Sequence, residues 1–289
     1  MKTIYLDLPM GAAGDMLSAA LFELLNEEEK TAFLEEINGA GIPGVEVCAE
    51  PSVKCGITGT HFKVVVDGQE EESHDHHHEH EHDHEHHHEH DHHHHHSSMA
   101  DIENIINSLK IPDSVKTDVI EVYKLIAAAE SHAHGKPVTD IHFHEVGTMD
   151  AVADITAVCL LLNKIAPQQI FASPVNVGSG HVHCAHGILP VPAPATAFIL
   201  KDVPVYSGHI TGELCTPTGA ALLKHFVTSF GNMPQLKMQA LGYGMGKKDF
   251  EAANCVRAVL GETDSSLEQV IEFTCNLDDI SAERIAFAT

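Results

Sequence analysis

The chain has 289 residues, of which 42 are Asp or Glu and 16 are Lys or Arg, for a formal charge of −26 with histidine neutral. That balance excludes nucleic acid and anionic membrane as main partners, because both would repel it; no apolar run reaches the ~20 residues of a membrane-spanning helix, and Asp7 breaks the apolar stretch that a secretory signal needs, so a cytoplasmic protein is expected. An apolar content of 43% supports a folded core, spread over one or two domains at ~150 residues each.

Residues 3–7 read as a short buried strand. The glycine turn Gly11-Ala12-Ala13-Gly14 follows, and residues 15–25 form an amphipathic helix. Strands are expected over 45–53 and 61–66, then helices over 101–109, 113–134 and 148–164, the last closed by Pro167. The chain then becomes rich in Gly and Pro. A strand over 170–177 leads to a loop at Gly178-Ser179-Gly180 and a short helix over 195–200. A strand over 203–206 precedes a helix over 217–230 with Pro217 in its first turn, and strands follow over 236–243, 254–260 and 270–275. Helices alternating with strands give an α/β fold on a mixed sheet. Residues 1–68 and 99–268 are expected to form one domain, interrupted by 69–98, with 269–289 opening a further C-terminal domain.

The interruption is unusual in composition. Of the 26 histidines, sixteen lie between His74 and His96, and residues 69–98 add ten Asp or Glu with no Lys or Arg. Such a segment has no apolar surface to bury and is expected to be a solvated loop. Neutral imidazole is a favoured ligand of Ni²⁺, Cu²⁺ and Zn²⁺, and many imidazoles at high local density raise avidity. His76, His77, His78, His80, His82, His84, His86, His87, His88, His90, His92, His93 and His94 are therefore candidate metal ligands. The tract alone does not choose among the three metals.

Four further groupings carry possible chemistry. In His142-Phe143-His144-Glu145-Val146-Gly147-Thr148-Met149-Asp150 the two histidines share a face of an extended segment, and Asp150 and Asp154 share a face near a helix start. His142, His144, Glu145 and Asp150 are candidates for metal binding or acid–base catalysis; a capped helix with surface histidines is the alternative. His181, His183 and His186, with Cys184 among them, are flanked by glycines and suit either a metal or a solvated hairpin. Gly11, Gly14 and Asp15 open a helix and could cradle a phosphate or, with Asp7, hold a cation. Thr216 and Thr218 stand at another helix start, as an anion site or a simple cap. The seven cysteines are odd in number and include no C-x-x-C pair, which argues against a disulfide framework or a Cys₄ zinc site.

Taken together, Tyr5-Leu6-Asp7 with residues 11–16, then 142–154, 178–195, 212–220, Gly242-Tyr243-Gly244 and Asn276-Leu277-Asp278-Asp279 resemble the LarC family, the nickel insertion proteins of nickel-pincer cofactor synthesis. The resemblance implies insertion of Ni²⁺ into pyridinium-3,5-bisthiocarboxylic acid mononucleotide by a cyclometallase. It further implies a lyase that depends on CTP with Mn²⁺ or Mg²⁺ and a nickel-pincer-dependent lactate racemase downstream. It also implies a C-terminal nucleotide domain, opened by residues 276–279, that this chain lacks, either as the shorter product of a frameshift or as a truncation; a separate polypeptide could supply it. A homo-oligomer is expected. Two other readings remain beside it: a histidine-rich nickel store without catalysis, and a zinc hydrolase built on His181, His183 and His186.

Overall fold

The structure, a computed structural model, describes residues 1–70, 97–143, 147–184 and 187–263. In chain order the elements are β1 (Lys2–Asp7), α1 (Gly14–Phe22), α2 (Glu27–Gly39), β2 (Val45–Lys54), β3 (Ile57–Val66), β4 (Gln69–Glu70), β5 (Ser97–Ser98), α3 (Met99–Ser108), α4 (Asp113–His134), β6 (His142–Phe143), α5 (Met149–Ile165), β7 (Gln169–Ala172), β8 (Val175–Asn176), β9 (Gly178–Ser179), β10 (His181–Cys184), β11 (Gly187–Pro190), α6 (Pro194–Ile199), β12 (Val205–Tyr206), β13 (Gly212–Glu213), α7 (Pro217–Phe226), β14 (Ser229–Phe230), β15 (Lys237–Met245) and β16 (Cys255–Glu262). A 3₁₀ turn, Val138–Asp140, sits between α4 and β6.

One eight-stranded sheet organises them, in the order β14-β7-β1-β16-β15-β3-β2 with β4 beside β3. β14, β7 and β1 run parallel; β16 is antiparallel to both β1 and β15. The fold is thus the mixed-sheet α/β architecture expected from the sequence. The β2–β3 hairpin turns through Cys55 and Gly56, both at positive φ, the geometry that a two-residue hairpin requires.

Local chemistry explains most element ends. α4 stops where Gly135 takes a left-handed conformation, the usual glycine exit from a helix. α7 starts with Thr216 Oγ1 accepting from the Gly219 N–H at 3.2 Å and Pro217 at the next position. α2 was not anticipated, although Asn26 and Glu29 form a reciprocal capping box, a pattern visible in the sequence as N-x-x-E. Two expected elements are corrected. The helix foreseen over 217–230 ends at Phe226, because Ser229 and Phe230 leave it to pair with Phe171 and Ala172 of β7. The strand foreseen over 170–177 is two strands, divided at Ser173-Pro174, where proline cannot donate to a ladder. The strand foreseen over 270–275 lies outside the described residues.

Helices α1 and α5 pack together against one face of the sheet. α1 approaches β15 closely: a Cβ on Gly244 would lie 1.9 Å from Met16 O, and one on Gly242 2.2 Å from Ala20 O. Beneath them Phe22, Phe33 and Phe62 form an aromatic cluster with centroids 5.9–6.4 Å apart. Phe33 and Phe62 are fully buried, so truncating either to Ala would cost about 3–5 kcal/mol.

Candidate functional site

Leu17 and Leu21 of α1, Val158 and Leu162 of α5, and Leu222 and Phe226 of α7 line one apolar seam. The three helices therefore start at a common end, beyond the C-terminal end of β1. Their first turns are stitched together there. The Ala12 N–H donates to Leu214 O at 3.0 Å, and the Thr216 N–H donates to Ala12 O at 3.0 Å. A Cβ on Gly219 would lie 2.2 Å from Ala12 O. The two groups foreseen separately, Gly11 and Gly14 on one side and Thr216 and Thr218 on the other, are thus one structure. Thr216 acts as the helix cap and hydrogen-bonds Thr218 Oγ1 at 2.9 Å.

Carboxylates crowd this end. Gly14 packs directly on Asp154: an added Cβ would be 2.7 Å from its Cβ and 2.9 Å from Oδ2. Only glycine brings the start of α1 so close to α5. The Asp15 backbone N–H hydrogen-bonds toward Asp154, and Asp15 Oδ1 accepts from the Met16 N–H at 2.8 Å. Asp154 Oδ1 is buried and has no hydrogen-bond partner among the described residues. Asp150, in the first turn of α5, accepts from Thr148 Oγ1. Above Asp150 and Asp154 lies Tyr123, fully buried, its hydroxyl also unpartnered among the described residues.

Burial pushes the Asp154 carboxyl well above the ordinary aspartate range, and repulsion from Asp15 and then Asp150 adds to it; Lys247 opposes. Burial likewise raises Asp15, with Lys247 and His61 opposing. The same burial and the two carboxylates push the Tyr123 phenol up. Asp154 therefore keeps its proton to a higher pH than an exposed aspartate would.

The described residues that flank the histidine tract in sequence, Glu70 before it and Ser97 after it, lie beside this cluster. At the leading end, Glu70 lies 3.5 Å from His61 Nε2, 3.0 Å from Lys63 Nζ and 3.7 Å from Lys247 Nζ, and Lys247 and His61 also face Asp15. At the returning end, Ser97 and Ser98 pair with Phe143 and His142, and Ser97 Oγ donates to Gly147 O at 3.2 Å, two residues before α5 begins.

The other sequence candidates divide as follows. His142 is on β6, described through its backbone pairing. His144, Glu145, His186 and the tract histidines lie outside the described residues. His181 and His183 sit on the β10–β11 hairpin, exposed and on the same face. Among the described residues no three His, Cys, Asp or Glu side chains are arranged to hold a metal ion. Six cysteines are described and all are free; the buried Cys215 thiol is pushed up to about 12, which makes it a small core residue rather than a nucleophile. No described helix is long and apolar enough to cross a membrane. His61, Lys247 and Tyr123 were not singled out from sequence; each is an isolated residue whose role depends on distant partners.

A family model described as nickel insertion protein matches residues 4–289. The chain is 40% identical over 290 residues to the pyridinium-3,5-bisthiocarboxylic acid mononucleotide nickel insertion protein of Clostridium kluyveri, covering 98% of this chain and 68% of that one. It is 36% identical to the protein of the same name from Geobacillus kaustophilus, covering 99% and 69%, and 39% identical to that from Clostridium acetobutylicum, covering 98% and 70%. No solved structure matches the chain. The chain belongs to the nickel insertion protein family.

Proposed function

We propose that this protein gathers Ni²⁺ and inserts it into pyridinium-3,5-bisthiocarboxylic acid mononucleotide, the compound in the names of its relatives. The observation that carries the reading is that Glu70 and Ser97, which flank the histidine tract in sequence, both lie near the Asp15–Asp150–Asp154 cluster. Imidazoles collect the metal as cargo; a defined set of donors must then present it to the ring. His142, His144 and Glu145 are our choice for that set, with His181, His183 and His186 as a secondary group. Asp15 and Asp150 supply further carboxylates.

Forming a nickel–carbon bond breaks a ring C–H bond, and the proton needs an acceptor. Glu145, Asp150 and His144 are the candidates from sequence. The Asp15–Asp154 pair adds a route by which such a proton is held and released. The reaction belongs to the lyase class, depends on CTP with Mn²⁺ or Mg²⁺, and feeds a lactate racemase in the cytoplasm. Residues 276–279, where the nucleotide domain would begin, lie outside the described residues.

The test is nickel incorporation into the mononucleotide in the presence of CTP and Mn²⁺, followed by mass. Substituting His142 and His144 by Ala should abolish incorporation and leave the thermal transition in place. Unchanged incorporation removes those residues from the account. A chain that binds nickel through 74–96 but never transfers it is a store.

A further inference from the structure

Across the sheet from the carboxylate cluster lies a cavity of about 480 Å³ that the sequence did not announce. Gly242 and Gly244 face α1, so strand alternation turns Tyr243 to the opposite face. Tyr243, Arg257 and Asp7 stand in one row across β15, β16 and β1. Arg257 Nη2 donates to Asp7 Oδ2 at 2.5 Å and also hydrogen-bonds the Tyr243 side chain. Tyr206 is 43% exposed at the rim; partial burial pushes its phenol up, and the nearby Asp7 carboxylate adds to that. Met10 and Ile210, both buried, supply apolar wall.

The cavity is held open rather than collapsed. Buried Asn176 ties its loops together: Nδ2 donates to Pro9 O at 2.7 Å, and Oδ1 accepts from the N–H groups of Gly178 and Gly208 at 3.1 and 3.2 Å. A concave, mostly apolar, preformed space with a few convergent polar groups is the usual form of a small-ligand site. It lies off the carboxyl end of β1, where open α/β sheets bind ligands.

Its chemistry selects the ligand. Two phenol faces and a carboxylate favour a flat organic cation, and the adjoining guanidinium favours a carboxylate or phosphate. We propose that this cavity binds a pyridinium mononucleotide, its cationic ring against Tyr206 and Tyr243 beside Asp7 and its anionic groups at Arg257. The proposal rests on the nickel-insertion reading for the identity of the natural ligand. It also gives the β1–α1 loop a function: Met10 on that loop lines the cavity, and the loop leads into the first turn of α1, where Asp15 joins the carboxylate cluster.

Nicotinate mononucleotide, which has the pyridinium ring, ribose and phosphate, serves as the probe, titrated calorimetrically into the full chain without nickel. Saturable binding is expected, weakened at least tenfold in Tyr206→Leu and in Arg257→Gln and retained in Tyr206→Phe, which keeps the ring face. Thermal unfolding checks that each variant folds; Tyr206 sits at the rim, so its loss removes little core. Absence of binding, or wild-type binding by a folded Tyr206→Leu chain, overturns the proposal. Nickel incorporation is measured in parallel. A chain that incorporates nickel yet fails the probe test refutes the cavity and leaves the function standing; one that binds the probe but never incorporates nickel does the reverse.

Discussion

The two faces of one sheet treat carboxylates in opposite ways. On the cavity side Asp7 is matched by Arg257 in direct contact, and the pair is partly solvated. On the helix side Asp15 and Asp154 are pressed together at the start of α1 and α5, with an unpartnered oxygen and burial outweighing the charge of Lys247. In the first arrangement each charge meets an opposite one in direct contact. The second leaves like charges buried side by side, the kind of arrangement that shifts pKa values at functional sites.

That contrast is most directly broken by activity. Replacing Asp15 and Asp154 together by Asn should lower nickel incorporation by at least about 100-fold, the scale of lost acid–base assistance, with saturation by the mononucleotide little changed. Replacing Asp7 by Asn should instead weaken mononucleotide binding, read as a raised KM. If both changes act on the same parameter, the two faces do not have separate roles.

Stability sharpens the comparison next. A Cβ on Gly11 would sit 2.0 Å from Leu214 O, at a φ of +73°. Gly11→Ala should therefore cost about 1–3 kcal/mol, from overpacking and backbone strain, seen as a lower denaturation midpoint at unchanged slope. By contrast, removing the half-exposed Asp7–Arg257 pair should cost no more than about 1 kcal/mol.

The pH dependence gives a smaller but signed effect. Asp154 has a raised folded-state pKa, so the folded chain holds a proton that the unfolded chain releases near pH 4. Stability from this group is full below that pH and is lost as pH rises toward the folded value. Asp154→Asn cannot ionise and escapes the loss. Its melting temperature relative to wild type should therefore rise between pH 5 and pH 8. A gap that stays constant or narrows would mean that Asp154 is not protonated in the folded state.

Periodicity and punctuation made the large elements legible. α4 runs from Asp113 to His134, the span the sequence predicts, with Pro112 before it and Gly135 after it marking both ends. Residues 229–230 were misread because an apolar continuation looks the same whether it stays helical or joins a sheet. The site was legible only in pieces. Asp150 and Asp154 share a helix face by spacing, and Gly11–Gly14 reads as a tight turn, but their meeting is a product of helix packing. The Asp7–Arg257 contact spans 250 residues, and nothing local announces it. The alternation Gly242-Tyr243-Gly244 was the available signal: two glycines admitting a helix on one face imply that the tyrosine between them points to the other.

The proposed function requires a defined nickel site outside the histidine tract. Nickel bound per chain, by equilibrium dialysis and elemental analysis, tests it in a protein lacking residues 74–96. The account predicts that this protein keeps about one tightly held Ni²⁺, lost when Asp15 and Asp154 are replaced by Asn or His142 and His144 by Ala. A deletion protein that holds no nickel, or holds it regardless of those residues, would contradict the account.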